Sequence, residues 1–434
     1  MSACAVSAPE RDSRVAANQL RTASTLLQSL APHVATDVNL PSRVKELSGE
    51  RRFNSSTRRL YRELLFTYVR FYPWLASLSS SAAAECSALL APHTPEVVRL
   101  LQSSAELSGH ALAHRGDLED TRRALQHLVG DSLCSVADLV TPPWLQSSGQ
   151  AVPPDVALTR PPLYIRVYKR SLLPAIEADA HSLGARVEPT VLGDAFRVSP
   201  LVPGATFDLT ATDSFARAGA FEVQDLGSQM LLEALAPPPG PQRWLDACAG
   251  AGGKTLQLAA MLGPSAQVHA EDVRRSALEQ LAVRAARCGL ADRITTAPSP
   301  STIDAALHGF FDGVLVDAPC TGSGTWRRSP HLRWQITPER VQAAAEIQLQ
   351  LLMKNAPRVK PGGLVVYSTC SQASTENEAV VRAFLQHAGS TFERADLPGS
   401  HALGLLQPEQ GQLVVSPSQH NTDAFYIAAL RRAG

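Results

Sequence analysis

Trp244-Leu245-Asp246-Ala247-Cys248-Ala249-Gly250-Ala251-Gly252-Gly253-Lys254-Thr255 reads as a strand, a glycine-rich loop and the start of a helix. Glycine and alanine let the backbone approach a ligand closely and lead its amides into a helix N-terminus. The spacing is not that of a phosphate loop, although Gly253-Lys254-Thr255 looks like the end of one. Outward from this stretch, strand patterns at 267–270, 292–295, 313–316 and 364–367 alternate with helical segments. That alternation predicts an α/β fold with a parallel, doubly wound sheet.

Two of those runs end in cysteine motifs. Gly313-Val314-Leu315-Val316 leads into Asp317-Ala318-Pro319-Cys320, and Gly363-Leu364-Val365-Val366 into Tyr367-Ser368-Thr369-Cys370-Ser371. Each reads as a buried parallel strand. Ligands of open α/β sheets bind beyond the carboxyl ends of such strands. A cofactor loop and two thiols at one sheet edge therefore point to covalent chemistry on a bound substrate. Asp272 ends the 267–270 run, where a carboxylate can accept both ribose hydroxyls of a cofactor, cap the next helix, or do both.

The chain has 434 residues, 44% hydrophobic and 18% charged, with 40 basic and 40 acidic residues. Net neutrality is not the footprint of a protein that coats nucleic acid, though a local basic face is enough to bind it. Seven scattered cysteines argue against a disulfide framework or a zinc site, so no metal is expected. The N-terminus lacks a signal-peptide pattern and no long apolar run suggests a membrane span, so a reducing cytoplasm is the default expectation.

Residues 14–30 and 56–78 carry apolar side chains at helical spacing, with Pro73 ending or bending the second helix. Between them, Arg51, Arg52, Arg58 and Arg59 surround Phe53, with Arg62 a turn later. These arginines either face a phosphate backbone or form a solvated helix start. A proline- and serine-rich stretch follows. Strand patterns at 163–168, 196–198 and 205–209 and a short helix at 171–183 predict a small α/β module. The resulting division is a helical N-terminal domain (1–142) with a possible RNA-binding role, a linker (143–155), the small module (156–217) and a catalytic domain (218–434). After Cys320 comes a Gly-Ser loop with Trp326, Arg327, Arg328, Arg333 and Trp334. Its arginines suit phosphates and its indoles suit splayed bases, unless the indoles simply pack.

Taken together, these motifs resemble the RsmB/NOP-type RNA (cytosine-5)-methyltransferases. The resemblance rests on Asp317-Ala-Pro-Cys320-Thr-Gly-Ser-Gly, Tyr367-Ser-Thr-Cys370-Ser with Glu376-Asn377-Glu378, and Lys360-Pro361-Gly362-Gly363. Phe221-Glu222-Val223-Gln224-Asp225 and the segment 420–426 extend it to about residues 155–432. It implies a Rossmann-like class I methyltransferase sheet with S-adenosylmethionine as cofactor. Cys248, Ala249, Gly250, Ala251, Gly252, Gly253 and Lys254 would form the cofactor loop, with Asp272 on the ribose and Asp317 beside the methyl donor. Cys370 would be the nucleophile toward carbon 6 of cytosine, and Cys320 would assist release. Asp317 would hydrogen-bond the base, and Lys254 would lie near the reacting centre. The implied partner is RNA, ribosomal RNA first and transfer RNA as an alternative, and the implied enzyme is a monomer.

Two departures accompany the resemblance. The family loop runs Cys-Ala-Ala-Pro-Gly-Gly-Lys, whereas this one runs Cys248-Ala-Gly-Ala-Gly-Gly-Lys254, which loosens the turn. No acid ends Ile294-Thr-Thr-Ala-Pro-Ser-Pro300 to contact adenine, and Asp304 comes late. These departures keep open an RNA-binding assembly factor without catalysis; a small-molecule methyltransferase is a third reading.

Overall fold

Trp244 and Gly313 are register partners on neighbouring parallel strands. The pairing needs the glycine, because a Cβ at 313 would lie 2.4 Å from the indole. Around this pair, the computed structural model builds two sheets and a helical domain. It describes residues 8–434 apart from 51, 105–106, 108–117, 130–132, 143, 146–151, 203–204, 206, 300–306 and 406–409. Cys4, Arg51, Asp304 and much of the expected linker lie outside the described residues.

The N-terminal helices include Ala8–Leu30, Leu40–Ser48, Ser55–Arg70, Ser80–Leu90 and Pro95–Ser103. They enclose an aliphatic and aromatic core that includes Leu27, Leu30, Leu60, Leu64 and Trp74. Asn54 caps the Ser55–Arg70 helix by accepting from the Thr57 amide at 2.9 Å. That helix stops at Arg70, and Pro73 falls in the first turn of the next one, Tyr72–Leu75, where its missing N–H costs nothing.

The small sheet holds β1 (Leu163–Val167), β2 (Ala185–Pro189), β3 (Ala195–Pro200) and β4 (Phe221–Val223), in the order β2-β3-β1-β4. Among the described residues of 205–209, the expected strand does not form. Asp208 instead accepts from the Thr210 amide and starts the 3-10 turn Leu209–Ala211. The edge place is taken by β4, antiparallel to β1, so the small sheet draws on residues beyond 217.

The larger sheet is built from β5 (Arg243–Asp246), β6 (Gln267–Asp272), β7 (Ile294–Pro298), β8 (Phe311–Asp317), β9 (Val359–Thr369), β10 (Phe392–Arg394), β11 (Gln412–Val415) and β12 (Phe425–Arg432). Its order is β10-β12-β9-β8-β5-β6-β7, with β11 also on β12. β5 to β9 are parallel, as expected. The sheet as a whole is mixed, because β10, β11 and β12 pair antiparallel. Phe425 to Leu430 are buried on both faces of β12, so that strand shows no alternation to mark it in the sequence.

Candidate active site

β8 and β9 run side by side in parallel with Asp317 opposite Ser368, so their carboxyl ends deliver both cysteine loops to one place. Cys320 Sγ and Cys370 Sγ lie 3.3 Å apart, and both thiols are free. The loops are stitched together by backbone. The Gly324 amide donates to the Cys370 carbonyl at 2.9 Å, and the Ala424 amide donates to the Gly324 carbonyl at 2.9 Å. A Cβ at 324 would come within 2.2 Å of the Ala424 oxygen, so this approach is closed to any larger residue.

Glu376 reinforces the junction from below. Its fully buried carboxylate accepts from the Thr321 amide at 2.9 Å, the Thr321 hydroxyl at 2.5 Å, the Ser371 hydroxyl at 2.5 Å and Gln348 Nε2 at 2.9 Å. Four donors compensate the burial of one charge. Glu376 stood in the sequence motif without a role. Gln348, 28 residues upstream on the helix Pro338–Asn355, carried no local signal.

Asp317 accepts from Lys254 Nζ at 2.8 Å and from the Ser368 hydroxyl at 2.8 Å. Burial works against the Lys254 ammonium, but Asp317, then Cys370 and Asp246, outweigh it and hold its pKa above the ordinary value. Lys254 Nζ also lies 5.5 Å from the Phe425 ring centroid. The hydrogen bond to Cys370, then burial, then the charges of Cys370 and Glu376 push the Cys320 thiol well above its usual range. Cys320 therefore keeps its proton at neutral pH. Burial likewise lifts Asp246 to about 7, against the 2.7 Å hydrogen bond from Thr255.

One strand over, residues 248–254 turn from β5 into the helix Gly253–Leu262. The Cys248 amide donates to Asp246 at 3.4 Å, and burial pushes the Cys248 thiol up. The Ala249 amide donates to the Glu271 carbonyl at 2.9 Å. Gly250 and Gly252 are left-handed, with φ of +53° and +90°, which a side chain would strain. A Cβ at 252 would also strike Leu281 Cδ1 at 2.1 Å. Asp272 accepts from the Gly250 amide at 2.8 Å and from the Arg274 amide at 2.8 Å. Burial opposes the Asp272 charge, yet Arg274 and Gly250 hold its carboxyl below the usual range.

These residues fit S-adenosylmethionine. Beside Gly253 no atom lies within 4 Å of where a Cβ would stand, so the loop opens onto space at the start of a helix. An ionised Asp272 at the end of β6 suits ribose hydroxyls. β7 ends at Pro298, and no adenine contact is assigned.

Of the two readings of the arginine–tryptophan loop, the structure shows packing. Trp326, Arg327 and Arg333 are buried. Arg327 donates to the Thr159 and Thr422 carbonyls at 3.1 and 2.9 Å, while Arg328 pairs with Asp225 at 2.6 Å and Asp423 at 3.2 Å. Arg333 stacks on both indoles and donates to the Leu139 carbonyl at 2.8 Å. Trp334 Nε1 donates to the Val69 carbonyl at 2.5 Å, and Arg70 donates to the Arg327 carbonyl at 2.9 Å. The loop thus seats the helical domain instead of offering stacking faces. At the Arg-rich helix start, Phe53 is buried edge-on to Tyr61, Arg52 pairs with Glu50 and Arg59 with Glu96.

Residues 232–431 match the family described as 16S rRNA methyltransferase RsmB/F. Ribosomal RNA small subunit methyltransferase F of Serratia proteamaculans is 33% identical over 50% of this chain and 45% of its own length. A Bacillus subtilis protein named "Probable ribosomal RNA small subunit methyltransferase B" is 34% identical over 51% of this chain and 49% of its own. The chain thus spans about half the length of the curated relatives it matches. The crystal structure of PH0851 shares the fold over 95% of this chain and 99% of its own, with TM-score 0.68 and 18% identity. Among the described residues, no helix is long and apolar enough to cross a membrane. The glycine loop and the paired cysteine loops all fall within residues 232–431, so it is this stretch of the chain that is similar to the RsmB/F methyltransferases.

Proposed function

We propose that this chain methylates carbon 5 of cytosine in RNA, ribosomal RNA being the first candidate, through a covalent bond between Cys370 and the base. The observation that carries this reading is the pair of thiols 3.3 Å apart, with the Lys254–Asp317 ion pair beside them at the ends of adjacent strands. S-adenosylmethionine supplies an electrophilic methyl group when bound in the glycine loop.

The remaining chemistry falls to the protein. The target base must leave its stack to enter the site. The Cys370 sulfur interacts electrostatically with the Lys254 ammonium. Cys370 adds to carbon 6, and the ring electrons then make carbon 5 nucleophilic enough to take the methyl group. In this reading Asp317, which Lys254 and Ser368 hold by hydrogen bonds, bonds the base. The carbon 5 proton then leaves to a base, and the carbon–sulfur bond breaks with its electron pair returning to Cys370. Cys320, protonated and within contact of Cys370, is suited to assist that release and unsuited to be the nucleophile. Bisulfite sequencing of RNA from cells with and without the gene tests the reading: it expects a cytosine that loses protection on deletion, and an unchanged pattern would overturn it.

A further inference from the structure

The donor loop lacks the proline that stiffens the family pattern, and in its place Ala251 stands between two left-handed glycines, Gly250 and Gly252. Ala251 borders a cavity of about 690 Å³ that is also lined by Phe215, Glu222, Arg284 and Arg287. On this side the turn faces open space more than packed side chains. One contact crosses the gap. Arg284 Nη1 donates to the Ala251 carbonyl at 2.5 Å, and the same guanidinium pairs through Nε with Glu222 at 3.1 Å.

Both ends of this bridge are anchored. Glu222 is buried on β4 of the small sheet and also pairs with Arg287. Arg284 lies on the helix Arg275–Cys288, one turn beyond Leu281, the residue that packs against Gly252. Arg287, a further turn along, stacks on Phe215 with its guanidinium carbon 4.1 Å from the ring centroid. One face of a single helix therefore touches both the donor loop, through Leu281 and Arg284, and the small module, through Arg284 and Arg287.

We propose that Arg284 is a positioning residue for the methyl-donor loop. It takes over the restraint that proline gives in the family pattern and references the loop to the small module through Glu222. The planar fork is needed, because one guanidinium reaches a carboxylate and a carbonyl at once, which an ammonium on a flexible stem does less well. This inference rests on S-adenosylmethionine binding in the glycine loop.

The test is calorimetric titration of the full chain with S-adenosylmethionine, alongside steady-state kinetics and a thermal melt. Arg284→Ala is expected to raise the donor Kd, and KM for the donor, about tenfold or more, the scale of a lost charged hydrogen bond. kcat at saturating donor and KM for RNA should stay within about threefold, a split that general loosening of the fold would not produce. Arg284→Lys should fall between Arg284→Ala and wild type, and it carries the test with the same readouts should the alanine variant fail to fold. A donor Kd within about twofold of wild type in a folded variant would overturn the role of Arg284 alone. A wild-type protein that binds no S-adenosylmethionine would overturn the donor reading and this inference with it.

Discussion

The loops after β8 and β9 each end a buried parallel strand, and each carries a cysteine. Their anchorage differs. The Cys370 loop is short and held from within by Thr369, Ser371, Glu376 and Asn377. The Cys320 loop is long, and its outer part is held by the helical domain through Trp334, Arg333 and Arg70. Their electrostatics differ too. Cys320 faces Cys370 and Glu376 and is kept protonated, whereas Cys370 lies within the field of the Lys254 ammonium. Two like residues in contact can thus be given different tasks by charge and anchorage alone.

The largest expected effect comes from Cys370→Ala, which should abolish transfer of labelled methyl to RNA by a factor on the order of 10⁴ or more. Full turnover by this variant would erase the distinction between the cysteines. Cys320→Ala should slow turnover by about 10² to 10³, in the range of lost proton-transfer assistance, while a protein–RNA adduct accumulates on a denaturing gel. If the adduct instead appears only with Cys370→Ala, the two roles are exchanged.

Glu376→Ala cuts the tie between the loops. It leaves Thr321, Ser371 and Gln348 without their shared acceptor and should cost about 1–3 kcal/mol in denaturant melts, with kcat down roughly tenfold. Stability lost without any change in kcat would show that the junction is scaffolding only. Arg333→Met keeps much of the packing but leaves the Leu139 carbonyl unpaired, an expected cost of about 1–2 kcal/mol with RNA affinity unchanged within about twofold. A tenfold loss of RNA affinity at unchanged stability would return the outer part of the Cys320 loop to the RNA surface.

What the sequence showed depended on how far away each residue's partner lies. β8 and β9 were legible because central parallel strands are apolar on both faces, and β5 and β6 because they alternate with helical segments and end in recognisable turns. β12 is equally apolar, but it follows a loop instead of a crossover helix, and nothing local marks it as antiparallel. The candidate site was legible as Cys320, Cys370, Asp317 and Lys254, and these do converge. Gln348 and the full set of Glu376 contacts were not.

The arginines mark the boundary most sharply. Their number and spacing in the 326–335 loop are facts of the sequence, and both a phosphate and a backbone carbonyl satisfy the same N–H groups. The carbonyl that meets Arg333 belongs to a residue 194 positions away, and the one that meets Trp334 is 265 away. Local chemistry therefore fixed the strands, the glycine turn and the positions of the two cysteines. Only the folded chain decided whether a guanidinium or an indole faces solvent or the neighbouring domain, because that choice is made by which distant surface arrives to desolvate it.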